Sequence, residues 1–162
     1  MPERRSNTLS IFPTKILLAI DGSKEATLAA STAIELAERT DSELHIVYVN
    51  SKTELSTPPG WKVFDADLPA RLKQAAEEEA RTKLNEEVQR VREAGGEVTG
   101  EHARLGRPDA EIVGLSEELS VGLIVIGSRG LGGVRRALIG SVSDSVVRHA
   151  HCPVLVVRND KH

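Results

Sequence analysis

Residues 127–143 read GSRGLGGVRRALIGSVS, with five glycines, three arginines and three serines in one short stretch. The apolar run LIVI, residues 123–126, leads straight into it. Glycine lets backbone N–H groups come close to a ligand and tolerates positive φ. A helix starting near Ser141 would add unpaired N–H groups and a partial positive charge. Together these features suit an anion, most naturally a phosphate. The competing reading is a flexible glycine-rich turn that binds nothing.

The common phosphate signatures do not fit. GxxxxGK[ST] is absent, and no GxGxxG follows the first apolar run, where Asp21-Gly22-Ser23 stands instead. Spacing alone supports neither a nucleophile–base pair nor a carboxylate pair, so the stretch suits holding an anion better than fast chemistry. His149-Ala150-His151-Cys152 has metal-ligand types. However, positions 149 and 151 point apart at a helix end and no partner cluster joins them, so no metal site is expected there. His149 is read as complementing a helix C-terminus, and Cys152 as a small buried apolar residue rather than a nucleophile. His45 and His102 have no evident partner.

The elements that must position these residues follow from hydrophobic periodicity. KILLAID, 15–21, is an apolar run closed by an acid. Ser23 is the expected N-cap of a helix whose Ala26, Ala29, Ala30, Ala33, Ile34 and Ala37 share one face. ELHIVYV, 43–49, reads as a second strand. Residues 50–67, with Pro58, Pro59 and Gly60, read as a loop held down by Trp61 and Phe64. A helix over 68–94 carries the pairs Glu77–Arg81, Glu79–Lys83 and Glu86–Arg90 on a solvated face, and Gly95-Gly96 ends it. A weak strand at 97–105, a helix opening at Pro108 with Ile112, Leu115 and Leu119 inward, and the strand 123–126 follow. A helix at 141–149 and the strand VLVVR, 154–158, close the order. Alternating strands and helices with near-continuous apolar strands predict an α/β fold with a parallel sheet covered on both faces. Ligands bind such sheets at the carboxyl ends of strands, where strand order reverses.

Composition narrows the classes. A chain of 162 residues suits one domain, and a chain of that size buries roughly 70% of its unfolded surface. Aromatic residues are limited to Phe12, Tyr48, Trp61 and Phe64, so the core must be Val, Ile, Leu and Ala. Net charge of −3 gives no general reason to bind nucleic acid or an anionic membrane. A single cysteine fits a reducing compartment. No apolar run approaches the roughly 20 residues of a membrane span, and MPERRSNTLSIF lacks the apolar segment of a signal peptide. The expectation is a cytoplasmic protein with a polar tail at 1–13, one domain at 14–158 containing the 50–67 loop, and a short tail at 159–162.

The spacing Gly127-x2-Gly130-x9-Gly140-Ser141 resembles G-2x-G-9x-G-[S/T], the ATP-binding signature of the universal stress protein family. KILLAIDGS is similar to that family's opening, and HCPVLVVR to its last strand, so the resemblance covers about residues 14–158. It implies a single-domain, open five-stranded parallel sheet of order 3-2-1-4-5, Rossmann-like and akin to the adenine nucleotide alpha hydrolases. The nucleotide would lie where strands 1 and 4 part. By the same resemblance, Ala19, Ile20 and Asp21 border the adenosine, with Asp21 accepting from ribose hydroxyls; its local alternative is a turn or cap acid. Val49 would touch adenine, or serve only as core, and Ile126 would meet the base through its backbone. Gly127, Arg129 and Gly130 would cradle ribose and phosphates. Gly140, Ser141 and Val142 would offer backbone N–H groups, Ser141 could reach a phosphate or bound Mg²⁺, and Ser143 is a weaker candidate of that kind. Arg135 and Arg136, inside the spacer, could swing onto a triphosphate but are expected in solvent, and Gly132 and Gly133 are expected to loosen the spacer.

The implied cofactor is ATP, with AMP, ADP or cAMP as alternatives, and the implied role is nucleotide-dependent regulation of stress adaptation. Slow ATP hydrolysis or autophosphorylation is compatible with it. Two other readings stand beside it: an interaction module that binds no nucleotide, and a slow ATPase of the related α/β class. The resemblance also implies a homodimer through strand 154–158, an apolar edge with unpaired backbone groups. The family often carries an acid where this chain has Gly122, at the strand's amino end, where little functional effect is expected.

Overall fold

KILLAI has no polar side to offer water, and it becomes the central strand of a sheet buried on both faces. The computed structural model describes residues 10–51, 68–130 and 139–159. Five strands, β1 (Lys15–Ile20), β2 (Glu43–Asn50), β3 (Gly100–Leu105), β4 (Leu123–Gly127) and β5 (Val154–Val157), alternate with α1 (Lys24–Thr40), α2 (Leu68–Glu93), α3 (Pro108–Glu118) and α4 (Ser141–His149). All pairings are parallel, and the order is β3-β2-β1-β4-β5, as the resemblance implied. Among the described residues no helix is long and apolar enough to cross a membrane.

Strand alternation splits the core in two. Ile16, Leu18 and Ile20 meet Ala26, Ala29 and Ala33 of α1 and Leu84, Val88 and Val91 of α2. Leu17 and Ala19 point the other way, onto Ile112 and Leu115 of α3 and Val146 of α4. Ser23 caps α1 as expected, its Oγ accepting from the Ala26 N–H at 3.1 Å. The alanine face brings α1 so near the sheet that a Cβ on Gly127 would fall 2.8 Å from the Glu25 carbonyl carbon. Gly95, at φ +93°, takes the left-handed turn that ends α2, and the Gly96 N–H closes it onto Val91 O at 2.9 Å.

Several boundaries differ from the periodicity. Asp21 lies just past β1, residues 97–99 precede β3, and Arg158 follows β5. On α2, Arg90 pairs with Glu87 at 2.9 Å, one residue from the expected Glu86, and Lys83 lies 3.7 Å from Glu86. Both spacings put partners on one helix face, so rotamer choice decides between them. At the sheet's amino end, a side chain on Gly122 would run into the Thr14 hydroxyl, which occupies the space an acid there would need. The expectations placed on residues 1–9, on Pro58, Pro59, Gly60, Trp61 and Phe64, on Gly132, Gly133, Arg135 and Arg136, and on residues 160–162 lie outside the described residues.

Candidate functional site

β1 and β4 are neighbours whose following helices leave to opposite faces, α1 to one core and α4 to the other. No connection can cover the gap between them, so a crevice opens at their carboxyl ends. It holds a cleft of about 400 Å³, within the usual range for small-molecule sites. Ala19, Ile20, Asp21, Val49, Ile126, Gly127, Arg129, Gly130, Gly140, Ser141, Val142 and Ser143 all line it. Residues from four separate parts of the chain thus meet in one place.

The apolar lining comes from β2, α3 and β4, through Val47, Val49, Pro108, Ile112 and Ile126. Val49 packs on the second core and also lines the cleft, so the core reading holds and the residue faces the space a ligand would use. The polar lining comes from the turn after β1, from residues 127–130 and from the start of α4. Asp21 Oδ1 accepts from the Ser23 N–H at 2.9 Å and closes that turn. Its other oxygen, Oδ2, lies 2.5 Å from where a Cβ on Gly130 would sit. The turn-acid role therefore occupies one carboxylate oxygen, and the second lies against the glycine loop.

Ser128 ties the two ends of this stretch together. It is 1% exposed, its N–H donates to Val157 O at 2.8 Å, and its carbonyl accepts from the Gly140 N–H at 2.5 Å. The same carbonyl accepts from Ser143 Oγ at 2.8 Å. Two expectations change as a result. The Gly140 N–H is directed at Ser128, not into the cleft, and the Ser143 hydroxyl proton is spent on the same carbonyl. The amides of Ser141, Val142 and Ser143, in the first turn of α4, have no acceptor within the helix and carry its positive end.

Sequence reasoning missed Ser23, Ala26, Val47, Pro108, Ile112 and Ile139 among the lining residues. Ser23 was legible only as a cap, yet its Oγ also lies 3.5 Å from Arg129 O, across the crevice. Val47 sits two residues before Val49 and so shares its face. α2 approaches the site from behind through Glu87, whose carboxyl is pushed above its ordinary value. Burial is the main cause, opposed by Arg90 and reinforced by Glu86 and Asp21.

Away from the cleft, His45 and His102 correct the expectation that they lack partners. Their rings stack at 5.5 Å, with His45 Nδ1 and His102 Nε2 3.2 Å apart. His45 Nε2 lies 3.1 Å from Glu43 Oε2. A carboxylate only accepts, so His45 donates there, its Nδ1 accepts, and His102 donates from Nε2. A side chain on Gly100 would collide with the His45 ring, so the pair depends on that glycine. Burial lowers the His102 pKa below 6.5, helped by His45 and Arg104 and opposed by Glu118. The folded chain then binds fewer protons than the unfolded one just below pH 6.5, and stability rises with pH there. Thermal melts should show wild type losing stability as pH falls from about 7 to about 5.5, and His102→Gln losing less. Parallel curves for the two proteins would refute this.

The other reactive groups take up local contacts. His149 sits in the last turn of α4 with Nδ1 2.8 Å from Ser145 O, and His151 pairs with Glu117 at 2.9 Å. Among the described residues no group of three His, Cys, Asp or Glu could hold a metal. Cys152 is half-buried rather than enclosed, and burial raises its thiol pKa, which disfavours the thiolate.

The model of the universal stress protein family matches residues 13–158. A Staphylococcus haemolyticus protein designated a universal stress protein is 41% identical over 150 residues, covering 90% of this chain and 85% of that one. The universal stress protein UspA from Lactobacillus plantarum is similar with a TM-score of 0.70 at 26% identity, over 91% of this chain and 99% of that chain. The universal stress protein from Archaeoglobus fulgidus in complex with dAMP has a TM-score of 0.57 at 26% identity, over 91% of this chain and 99% of that chain.

Proposed function

The chain belongs to the universal stress protein family, and we propose that it holds an adenine nucleotide in the cleft between β1 and β4, with ATP as the leading candidate. The observation that carries this reading is the convergence of Asp21, the 127–130 loop and the α4 amides on one cleft with an apolar wall. The similar Archaeoglobus fulgidus protein, solved with dAMP, lends support to an adenine ligand. In this reading the base lies against Val47, Val49 and Ile112, and Asp21 accepts from the ribose. The phosphates take the N–H groups of Ser141 and Val142, with the Ser141 hydroxyl beside them for a phosphate or Mg²⁺. AMP, ADP and cAMP present the same adenosine and are the alternatives. Occupancy would then regulate the surface shown to partners in stress adaptation. Pairing of two copies through β5 belongs to the same proposal, because β5 is the sheet edge and Leu155 is exposed on it.

Calorimetric titration of ATP and AMP tests the reading. Asp21→Asn keeps an oxygen for the Ser23 N–H and removes the charge. Wild type should bind, and the variant should bind about tenfold more weakly, the loss expected for a charged hydrogen bond. Equal affinity in the two would remove Asp21 from the site. No heat with any adenine nucleotide would favour the interaction module instead.

A further inference from the structure

α3 and α4 meet at one carboxylate that is not itself among the cleft-lining residues. Asp109, in the first turn of α3, accepts from Ser145 Oγ of α4 at 2.7 Å and from Arg107 Nη2 at 2.9 Å, both on Oδ2. Its side chain is 16% exposed, whereas that of Arg107 is 74% exposed. The residue types Asp109, Ser145 and His149 invite comparison with a nucleophile relay, but the proton directions exclude one. Ser145 gives its proton to Asp109 directly. The His149 Nδ1, 2.8 Å from Ser145 O, must be the donor there because a carbonyl only accepts, so it is no base for Ser145.

What the contact does instead follows from its place. Pro108 precedes Asp109 and Ile112 lies one turn on, and both line the cleft. Ser145 sits on the same short helix as Ser141, Val142 and Ser143, which line it from the other side. α4 has nine residues and a glycine N-cap with no side-chain bond, so apart from Val146 and Val142 in the core its placement relies on polar contacts with its neighbours. Ser128 holds its start to β4. Asp109 holds its middle to α3.

We propose that Asp109 is a positioning residue that sets the α4 amides at the distance from the α3 wall that a phosphorylated nucleoside requires. This inference rests on the nucleotide reading above and adds a determinant of selectivity for nucleotide over nucleoside. The Asp109 pKa is lowered, chiefly by the Ser145 hydrogen bond, with help from the Ala110 N–H and Arg107 and against burial. The carboxylate is therefore ionised throughout the neutral range.

The test compares AMP with adenosine by calorimetry on wild type, Asp109→Ala, Ser145→Ala and the double variant. Adenosine uses the apolar wall and Asp21, and AMP adds the α4 amides. Each single variant should weaken AMP about five- to tenfold and leave adenosine within about twofold. The double variant should be no worse than either single one, since both break the same contact. Asp109→Asn, which keeps an acceptor for Ser145, should retain most of the wild-type preference. An unchanged AMP-to-adenosine ratio in the variants, or equal weakening of both ligands, would overturn the inference while leaving the nucleotide reading intact. A wild type that binds neither ligand would overturn both.

Discussion

Replacing Gly127 with valine is expected to destabilise the fold by about 3 kcal/mol, the upper part of the range for forced overpacking. The neighbour that an added Cβ would meet is backbone: the Glu25 carbonyl carbon at 2.8 Å and its oxygen at 3.0 Å. Backbone cannot rotate away as a side-chain tip can. Relief requires α1 to lift from β4, which opens the alanine-packed core around Ala26 and Ala29. For a chain of this size the loss corresponds to a fall in melting temperature of roughly 6–12 °C. Calorimetry or a thermal melt in the absence of ligand measures it. An unchanged melting temperature would show that the close approach of α1 to Gly127 is not as described.

Gly130→Val should behave in the opposite manner, with little loss of stability and a large loss of binding. Here the added Cβ meets Asp21 Oδ2 at 2.5 Å, the far end of a side chain. Asp21 can turn aside at small cost, but it then no longer presents that oxygen to the cleft. Loss of a charged hydrogen bond, with crowding of the loop, should weaken AMP or ATP binding by about ten- to hundredfold. Titration beside a thermal melt separates the outcomes. Wild-type affinity would show that Asp21 and Gly130 do not act together on a ligand. A collapse in melting temperature equal to that of Gly127→Val would show that the two glycines do the same job.

Those two glycines show how far the sequence can be read. The resemblance to the family signature grouped Gly127, Gly130 and Gly140 by their spacing. It did not reveal that Gly127 is demanded by α1, Gly130 by Asp21 and Gly140 by the Ser128 carbonyl, since those contacts join segments more than a loop apart or depend on where one N–H points. The direction of the Gly140 amide reversed an expectation for that reason. The strands and their order were legible from apolar runs and resemblance. The His45–His102 pair was not, because it depends on register: His45 lies opposite Gly100, which places His102 on the same face two residues on. Nothing in either histidine's local sequence announces a neighbour 57 residues away. Asp109 and Ser145 escaped notice for the same reason, being local in no element and adjacent only once α3 and α4 pack.

The strand order also sets when the cleft can exist during synthesis. Chains emerge from the ribosome amino end first. β1, α1 and β2 can assemble early, because β1 pairs directly with β2. The other edge of β1 waits for β4, which includes Leu123–Ile126, and α4 comes later still. Until then one wall of the crevice is unmade, and the central strand keeps an open, apolar edge. On the proposed reading, a nucleotide would find no complete site on the first half of the chain. Its binding would act as a late lock, favouring those molecules in which the last third has already come home.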